Sequence, residues 1–439
     1  MDLKYFGTDG IRGVAFAPPL TQAEACRWGQ AWAQVAGTRG IEELVIGWDP
    51  RLSSEPLAQA FVAGLGDQLR LCVLGMVPTP AVAHACSTRP RAWGLMLSAS
   101  HNPPEDNGIK GFDGGGEKLP EEDEAALEAV FDTLPGQDAP ARPMPLQTAI
   151  AEAYIRQLGG LDLPEGLTLV VDCAHGATAP WAPLLFRGAG IRWIGVPADG
   201  ARINVGVGST HLKRLSAEVK AQGAFAGIAF DGDGDRCLMV DGAGTLVDGD
   251  QLLWLLAQDR HRKERPLPGV VGTVMSNGGL EEALGSLGVP FVRTPVGDKH
   301  MLRELARRGW DLAAEASGHI VQKHVGPSGD GMATALAVLS ALLRRDPAER
   351  WSWRFQPWPL RLVNIQASAR RPLEECASLT RAMQSLEAGH GPALRMVVRW
   401  SGTEPKLRLM VEAKEASLMD HALSALESAA RTDLAGQLS

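Results

Sequence analysis

Short apolar runs alternate with amphipathic stretches along most of this chain. Thr21-Gln22-Ala23-Glu24 has the form of a capping box, in which a Thr hydroxyl and a Glu carboxylate each satisfy a backbone N–H at a helix start. It predicts a helix whose Ala25, Trp28, Trp32 and Val35 share one face. Leu44-Val45-Ile46-Gly47, residues 93–97, Leu169-Val170-Val171-Asp172 and residues 270–274 read as short buried strands, and a helix follows from Gly279. This alternation predicts α/β domains with mainly parallel sheets. Ligand-binding loops then belong at the carboxyl ends of strands. From Leu360 onward the pattern becomes strand, helix, strand, strand, helix, a small α+β unit.

A length of 439 residues exceeds one ordinary domain. Three stretches read as junctions: 135–145, rich in Pro, Gly, Asp and Ala; 241–249, rich in turn residues; and 344–359, charged with Trp and Pro. The expected architecture is three mixed-sheet α/β domains over 1–148, 149–244 and 245–352, then a smaller α+β domain over 353–439.

A formal net charge of −8 gives no broad electropositive face, so nucleic acid is not an expected partner. Any phosphate site must be built locally from a few cations and backbone N–H groups. The six cysteines are scattered through apolar segments without a CxxC pair and read as buried thiols in a reducing compartment. Met1-Asp2-Leu3-Lys4 does not read as a signal peptide, and the apolar stretch 332–343 is too short to span a membrane. The expected location is the cytoplasm.

Candidate chemistry concentrates in four places. Asp231-Gly232-Asp233-Gly234-Asp235-Arg236 follows the apolar run Gly227-Ile228-Ala229-Phe230. Carboxylates spaced by two converge if the backbone curls, which glycine permits, and three together need a cation. Oxygen-only ligands suit Mg²⁺ before Mn²⁺ or Ca²⁺. An EF-hand loop would need Gly and Glu where Arg236 and Gly242 stand. A solvated acidic turn is the other reading, and Asp241-Gly242-Ala243-Gly244 reads as such a turn. Ser98-Ala99-Ser100-His101-Asn102-Pro103 ends the strand at 93–97 and exposes a serine at its carboxyl end, with Lys110 within loop reach in Asp106-Asn107-Gly108-Ile109-Lys110. Glu315-Ala316-Ser317-Gly318-His319 and Arg399-Trp400-Ser401-Gly402-Thr403-Glu404-Pro405 complete the set; the last also fits an ordinary turn between two strands.

In this order the four motifs resemble the phosphoserine, metal, sugar-recognition and phosphate-binding loops of the α-D-phosphohexomutases. Tyr5–Gly13, Gly272–Asn277 and Val296-Gly297-Asp298-Lys299 resemble the amino-sugar branch of that family. The chain departs from it at Ala313-Ala314, Ala316, Lys299, His175 and Trp400, and the sugar-loop changes bear on fine substrate preference.

The resemblance implies four domains around a central active-site cleft. It implies interconversion of glucosamine 6-phosphate and glucosamine 1-phosphate, with phosphomannomutase/phosphoglucomutase activity as the alternative. Ser100 would carry the phosphoryl group through a 1,6-bisphosphate intermediate, with glucosamine or glucose 1,6-bisphosphate as primer and an unidentified phosphoryl donor or kinase. Ser100, Asp231, Asp233 and Asp235 would hold one Mg²⁺, with Arg236 beside the same phosphate. Lys110, His101 and Arg12 would steer protons or phosphate charge. Lys110 is expected first as general base, because a desolvated Lys near cations loses its proton; a simple phosphate contact is its other reading. Asp298, Lys299, Glu315, Ser317 and His319 would meet the sugar phosphate, with His319 either a second proton shuttle or a satisfied buried histidine. Arg399, Ser401, Gly402, Thr403 and Arg408 would grip the phosphate that is not reacting.

Overall fold

The computed structural model describes residues 3–136, 142–265, 267–401 and 405–435. Part of the 135–145 junction, with Gly402 and Thr403 of the phosphate loop, therefore lies outside the described residues. The chain divides into two compact units, Met1–Thr273 with Val289–Arg354, and Val274–Gly288 with Phe355–Ser439.

Among the described residues the first unit contains three large sheets that mix parallel and antiparallel pairs, and a two-stranded parallel one, Leu161–Asp162 with Phe186–Arg187. The first runs Ile11–Val14, Asp106–Phe112, Ala92–Leu97, Glu43–Trp48, Arg70–Met76 in spatial order. Its last three strands are parallel and its first two antiparallel. The second centres on Leu169–Asp172, flanked in parallel by Ile191–Ile194 and Ala226–Phe230, with Cys237–Asp241 antiparallel beyond. In the third, Val270–Thr273 pairs in parallel with Phe291–Thr294 and Leu312–Ala314, and Ile320–Gln322 closes it antiparallel.

Local chemistry explains the elements. Thr21 caps the helix Gln22–Thr38 with both halves of the capping box formed, and Ala25, Trp28, Trp32 and Val35 are buried. Trp28 stacks on Phe131 at 3.8 Å between ring centroids, and Trp32 meets Phe61 and Trp93 edge-on. This one-sided aromatic face fixes the helix against the helices Ser54–Leu65 and Glu121–Thr133 and, through Trp93, against the first sheet. All six cysteines are buried.

One segment differs from expectation. Residues 106–110 read as loop, yet Asp106–Phe112 is a strand between Ala92–Leu97 and Ile11–Val14. Its glycines obscured it. A Cβ on Gly108 would sit 2.6 Å from Ser98 O and 2.7 Å from Ile11 O, so the close approach of neighbouring backbones demands glycine here. Lys110 thus reaches its site from a buried strand.

In the second unit, Leu360–Gln366, Lys406–Ala413 and Leu394–Trp400 form an antiparallel sheet with Lys406–Ala413 in the middle. The helices Ala377–His390 and Ala416–Asp433 share its core through Leu379, Leu407, Leu409 and Leu426. This is the strand, helix, strand, strand, helix order read from the sequence. Residues 274–288 join it: Gly278 N donates to Glu412 Oε1 at 2.7 Å, and Arg395 donates to Ser276 O and Val274 O, both at 2.8 Å. No described helix is long and apolar enough to cross a membrane.

Candidate active site

Loops at the carboxyl ends of parallel strands supply Ser100, the acidic cluster, Asp298 and Glu315, while Arg12 and Lys110 stand on antiparallel strands. Ser100 follows Ala92–Leu97 and has φ +53°, a left-handed conformation uncommon for a non-glycine residue. Its hydroxyl donates to Asp231 Oδ2 at 2.5 Å, and His101 Nδ1 lies 3.4 Å away. Asp231, Asp233 and Asp235 follow Ala226–Phe230 and are buried. Each offers a carboxylate oxygen within 4.8 Å of the others. Gly234, at φ +73°, provides the curl between them.

The three carboxylates fit a hard divalent cation. Oδ1 of Asp233 and of Asp235 is buried with no hydrogen-bond donor among the described residues. Burial first, then Asp235 and Asp233, push the Asp231 carboxyl well above its usual range. Buried carboxylates set this close repel one another, and a cation between them relieves that cost. A phosphoryl group on Ser100 would add about −1.5 to −2 charge beside them.

Lys110 supplies part of the balance. Its Nζ lies 2.7 Å from Asp233 Oδ2, 3.1 Å from Asp9 Oδ2 and 3.4 Å from Asp235 Oδ2. Burial lowers its pKa, but Asp233, Asp9 and Asp235 outweigh burial and hold it well above the usual value. This corrects the expected basis for Lys110 as general base: its neighbours are chiefly carboxylates, so the ammonium form is favoured. His319 is drawn the same way. Burial lowers it, yet Asp235, then Asp298 and Glu315, carry it up to about 9. Its Nδ1 lies 3.7 Å from Asp235 Oδ1 and its Nε2 4.0 Å from Asp298 Oδ2. His101 goes the other way, down to about 4, through burial and then the Arg236 and Arg12 charges.

A cavity of about 380 Å³ opens over these groups, with Arg12, His101, Arg236, Asp298, Glu315 and His319 in its wall. Arg236 Nε stands 3.9 Å from both Asp231 and Asp235. Arg12 pairs with Asp9, which also pairs with Lys118. Glu315 is oriented by Gly297 N at 3.0 Å and by the Ser317 hydroxyl, which donates at 3.2 Å. Lys299 does not line this cavity; it pairs with Glu124 and borders a neighbouring one.

In the second unit, Arg399, Arg408, Lys406 and Asn364 line a concavity of about 280 Å³ on one sheet face. Arg399 and Arg408 are direct cross-strand partners. Like charges set opposite are unfavourable unless an anion joins them. Arg408 Nη2 donates to Ser401 Oγ at 3.2 Å.

The sequence reading missed Asp9, Asp49, Arg51, Thr79, Lys118 and Asn204. Asp49 and Arg51 are a fully buried ion pair at 2.9 Å directly after Glu43–Trp48. Charged residues at the carboxyl end of a buried strand were the available signal. Thr79 donates to Asp233 Oδ2 at 2.6 Å, and nothing in its local pattern marks it.

Three mixed sheets carrying a serine loop, an acidic loop and a sugar-sized cavity define a phosphoryl-transfer scaffold. Models of the four phosphoglucomutase/phosphomannomutase domains match in order: α/β/α domain I over 3–137, II over 152–244, III over 248–354 and the C-terminal domain over 362–426. The chain belongs to this family, the α-D-phosphohexomutases. Phosphoglucosamine mutase of Bordetella pertussis is 42% identical, over 94% of this chain and 96% of that protein. Among solved structures, a phosphoglucomutase/phosphomannomutase family protein from Burkholderia thailandensis superposes with TM-score 0.78 at 23% identity, over 97% of each chain. An N-acetylphosphoglucosamine mutase from Aspergillus fumigatus, in complex with GlcNAc-6P and magnesium, gives 0.62 at 19% identity, over 99% of this chain and 96% of that one.

Proposed function

We propose that this enzyme interconverts glucosamine 6-phosphate and glucosamine 1-phosphate. The observation that carries the reading is Ser100, strained and hydrogen-bonded at 2.5 Å to the acidic loop, beside a cavity of sugar-phosphate size. Likeness over 94% of the chain to a phosphoglucosamine mutase favours the amino-sugar over a neutral hexose.

Phosphoryl transfer depends mainly on positioning and charge neutralisation. From phosphorylated Ser100 the phosphorus–oxygen bond to serine breaks, and a bond to the sugar hydroxyl forms. The hydroxyl's proton needs an acceptor and the departing Ser100 Oγ needs a proton; neutral His101, its Nδ1 3.4 Å from Ser100 Oγ, is suited to take the proton from the sugar and hand it to the serine, leaving Ser100 as a free hydroxyl. Arg236 and Arg12 offer guanidinium donors to the phosphoryl oxygens. Asp231, Asp233 and Asp235 would hold one Mg²⁺, which when bound supplies further charge neutralisation at the phosphoryl group. The 1,6-bisphosphate then reorients and returns its other phosphoryl group to Ser100. Protonated His319, with Asp298 and Glu315, offers hydrogen bonds to the sugar hydroxyls. Arg399, Ser401 and Arg408 grip the phosphate that is not reacting, with Gly402 and Thr403 as further donors. Glucosamine or glucose 1,6-bisphosphate serves as primer.

The test is a substrate panel with Mg²⁺ and catalytic bisphosphate, run on wild type and Ser100→Ala. Glucosamine 6-phosphate should turn over faster than glucose 1-phosphate or mannose 1-phosphate. Intact mass should show one phosphate on wild type and none on Ser100→Ala, which should be inactive. Release of inorganic phosphate without isomerisation would make the protein a phosphatase instead.

A further inference from the structure

The strained serine loop is held from beneath by two side chains that share their acceptors. Arg51 Nη2 donates to Ser100 O at 3.0 Å and to Asn102 O at 2.9 Å. Asn204 Nδ2 donates to the same two carbonyls, at 2.8 and 2.9 Å. Arg51 Nη1 also donates to Pro103 O and, at 3.0 Å, to Asp106 O, while Asp49 fixes its Nε at 2.9 Å. Asp49 in turn accepts from Ser98 Oγ at 2.7 Å, and Ser98 Oγ accepts from Ser100 N at 2.8 Å.

The acidic loop presses on this same point. A Cβ on Gly232 would lie 2.5 Å from Ser100 O and 2.9 Å from Asn204 Nδ2. Asn204 is buried, has φ +62°, and its own N–H donates to Ala174 O at 2.9 Å. The Ser100 carbonyl is therefore where three segments meet: the loop after Glu43–Trp48, the 203–208 turn, and the acidic loop.

We propose that Asn204 and Arg51 are positioning residues for phosphoryl transfer, holding Ser100 in register with the acidic loop; this rests on the reading of Ser100 as carrier. Neither side chain needs to touch the substrate. Each acts through the carbonyls of Ser100 and Asn102. The amide is the essential group of Asn204, because two carbonyls need a donor between them and Asp in its place would add a repelling acceptor.

Asn204→Gly deletes the amide while keeping freedom for the left-handed backbone. Asn204→Asp keeps the shape and removes the donor. Arg51→Lys keeps the charge beside Asp49 but loses the fork that reaches four carbonyls. Single-turnover transfer from phosphoenzyme to glucosamine 6-phosphate, KM and melting temperature are read on each. The expected result is a transfer rate lowered roughly 10- to 100-fold, the cost of a small misplacement, with KM within about twofold. Asp should be slower than Gly at position 204, and phosphoserine occupancy should persist by intact mass.

A purely structural role would lower melting temperature and leave the transfer rate of folded protein within about twofold; that result overturns the proposal. Should Asn204→Gly fail to fold, Asn204→Asp and Arg51→Lys decide it by the same rate. If wild type itself forms no phosphoserine, the proposed function fails instead, and the two failures are distinct.

Discussion

At the scale of single residues, the site sorts its protons by sign of neighbour. Lys110 and His319 sit among carboxylates and keep their protons; His101 faces two guanidinium groups and gives its proton up. As a base, His101 works in its neutral form, which is present above about pH 4. The rate should rise with pH through about 4 and hold level from there to neutrality. A cation in the acidic loop pushes His101 further in the same direction. His101→Gln should lower kcat by roughly 10²- to 10⁴-fold and remove that acidic limb. A pH profile of kcat unchanged in His101→Gln would assign the proton to another group. The motif residues were legible in the sequence, because Ser100 and the three Asp residues stand in runs that no core strand tolerates. Their protonation was not. The sequence places Lys110 near Ser100 but cannot say that Asp9, some hundred residues earlier, faces the same ammonium.

At the scale of elements, helices and strands with one buried face were readable, and those whose role is to touch other backbones were not. The capping box and the Trp28 and Trp32 face marked their helix. The strand Asp106–Phe112 hid behind glycines that only its neighbours explain. The helix Gly331–Leu343 shows the same dependence on partners. Its cap, Asp330, accepts from Ala333 N at 2.9 Å and from the Tyr154 hydroxyl at 2.8 Å. Burial still raises its pKa to about 6, against 3.8 ordinarily. The folded chain thus binds this proton more tightly than the unfolded one. The resulting stability is fully present below about pH 4 and is lost as pH rises through about 6, a loss of roughly 3 kcal/mol. Asparagine caps as well and does not titrate. Asp330→Asn should therefore gain melting temperature relative to wild type between pH 5 and pH 8. A constant gap across that range would show that the carboxyl is not held up.

At the scale of the whole molecule, the proposed roles fall in two compact units, so each should fail in its own way. The first carries the acidic loop. Mg²⁺ at 100 times its Kd should stabilise the protein by about 2.7 kcal/mol, read as a rise in melting temperature that chelator reverses. Asp233→Asn should abolish most of that rise along with turnover; a rise equal to wild type would remove Asp233 from the metal site.

Among its described residues the second unit has no carboxylate cluster like that of the acidic loop, and its concavity is cationic, with Arg399 and Arg408 paired across the strands. A mutase must hold the idle phosphate whichever end of the sugar reacts, so losing that grip should cost both directions alike. Arg399→Ala should raise KM for glucosamine 6-phosphate and for glucosamine 1-phosphate by the worth of a charged hydrogen bond, roughly 1.5–3 kcal/mol, or about 10- to 150-fold. The Mg²⁺-dependent rise in melting temperature should stay as in wild type, because the acidic loop is untouched. Free bisphosphate should accumulate, since an intermediate held at one end only escapes before it turns. Measured KM in both directions, with bisphosphate released per turnover, separates the outcomes. A rise in one direction alone would mean that Arg399 serves one orientation of the sugar. Unaltered KM and release would mean that the cationic face of the second unit takes no part in catalysis.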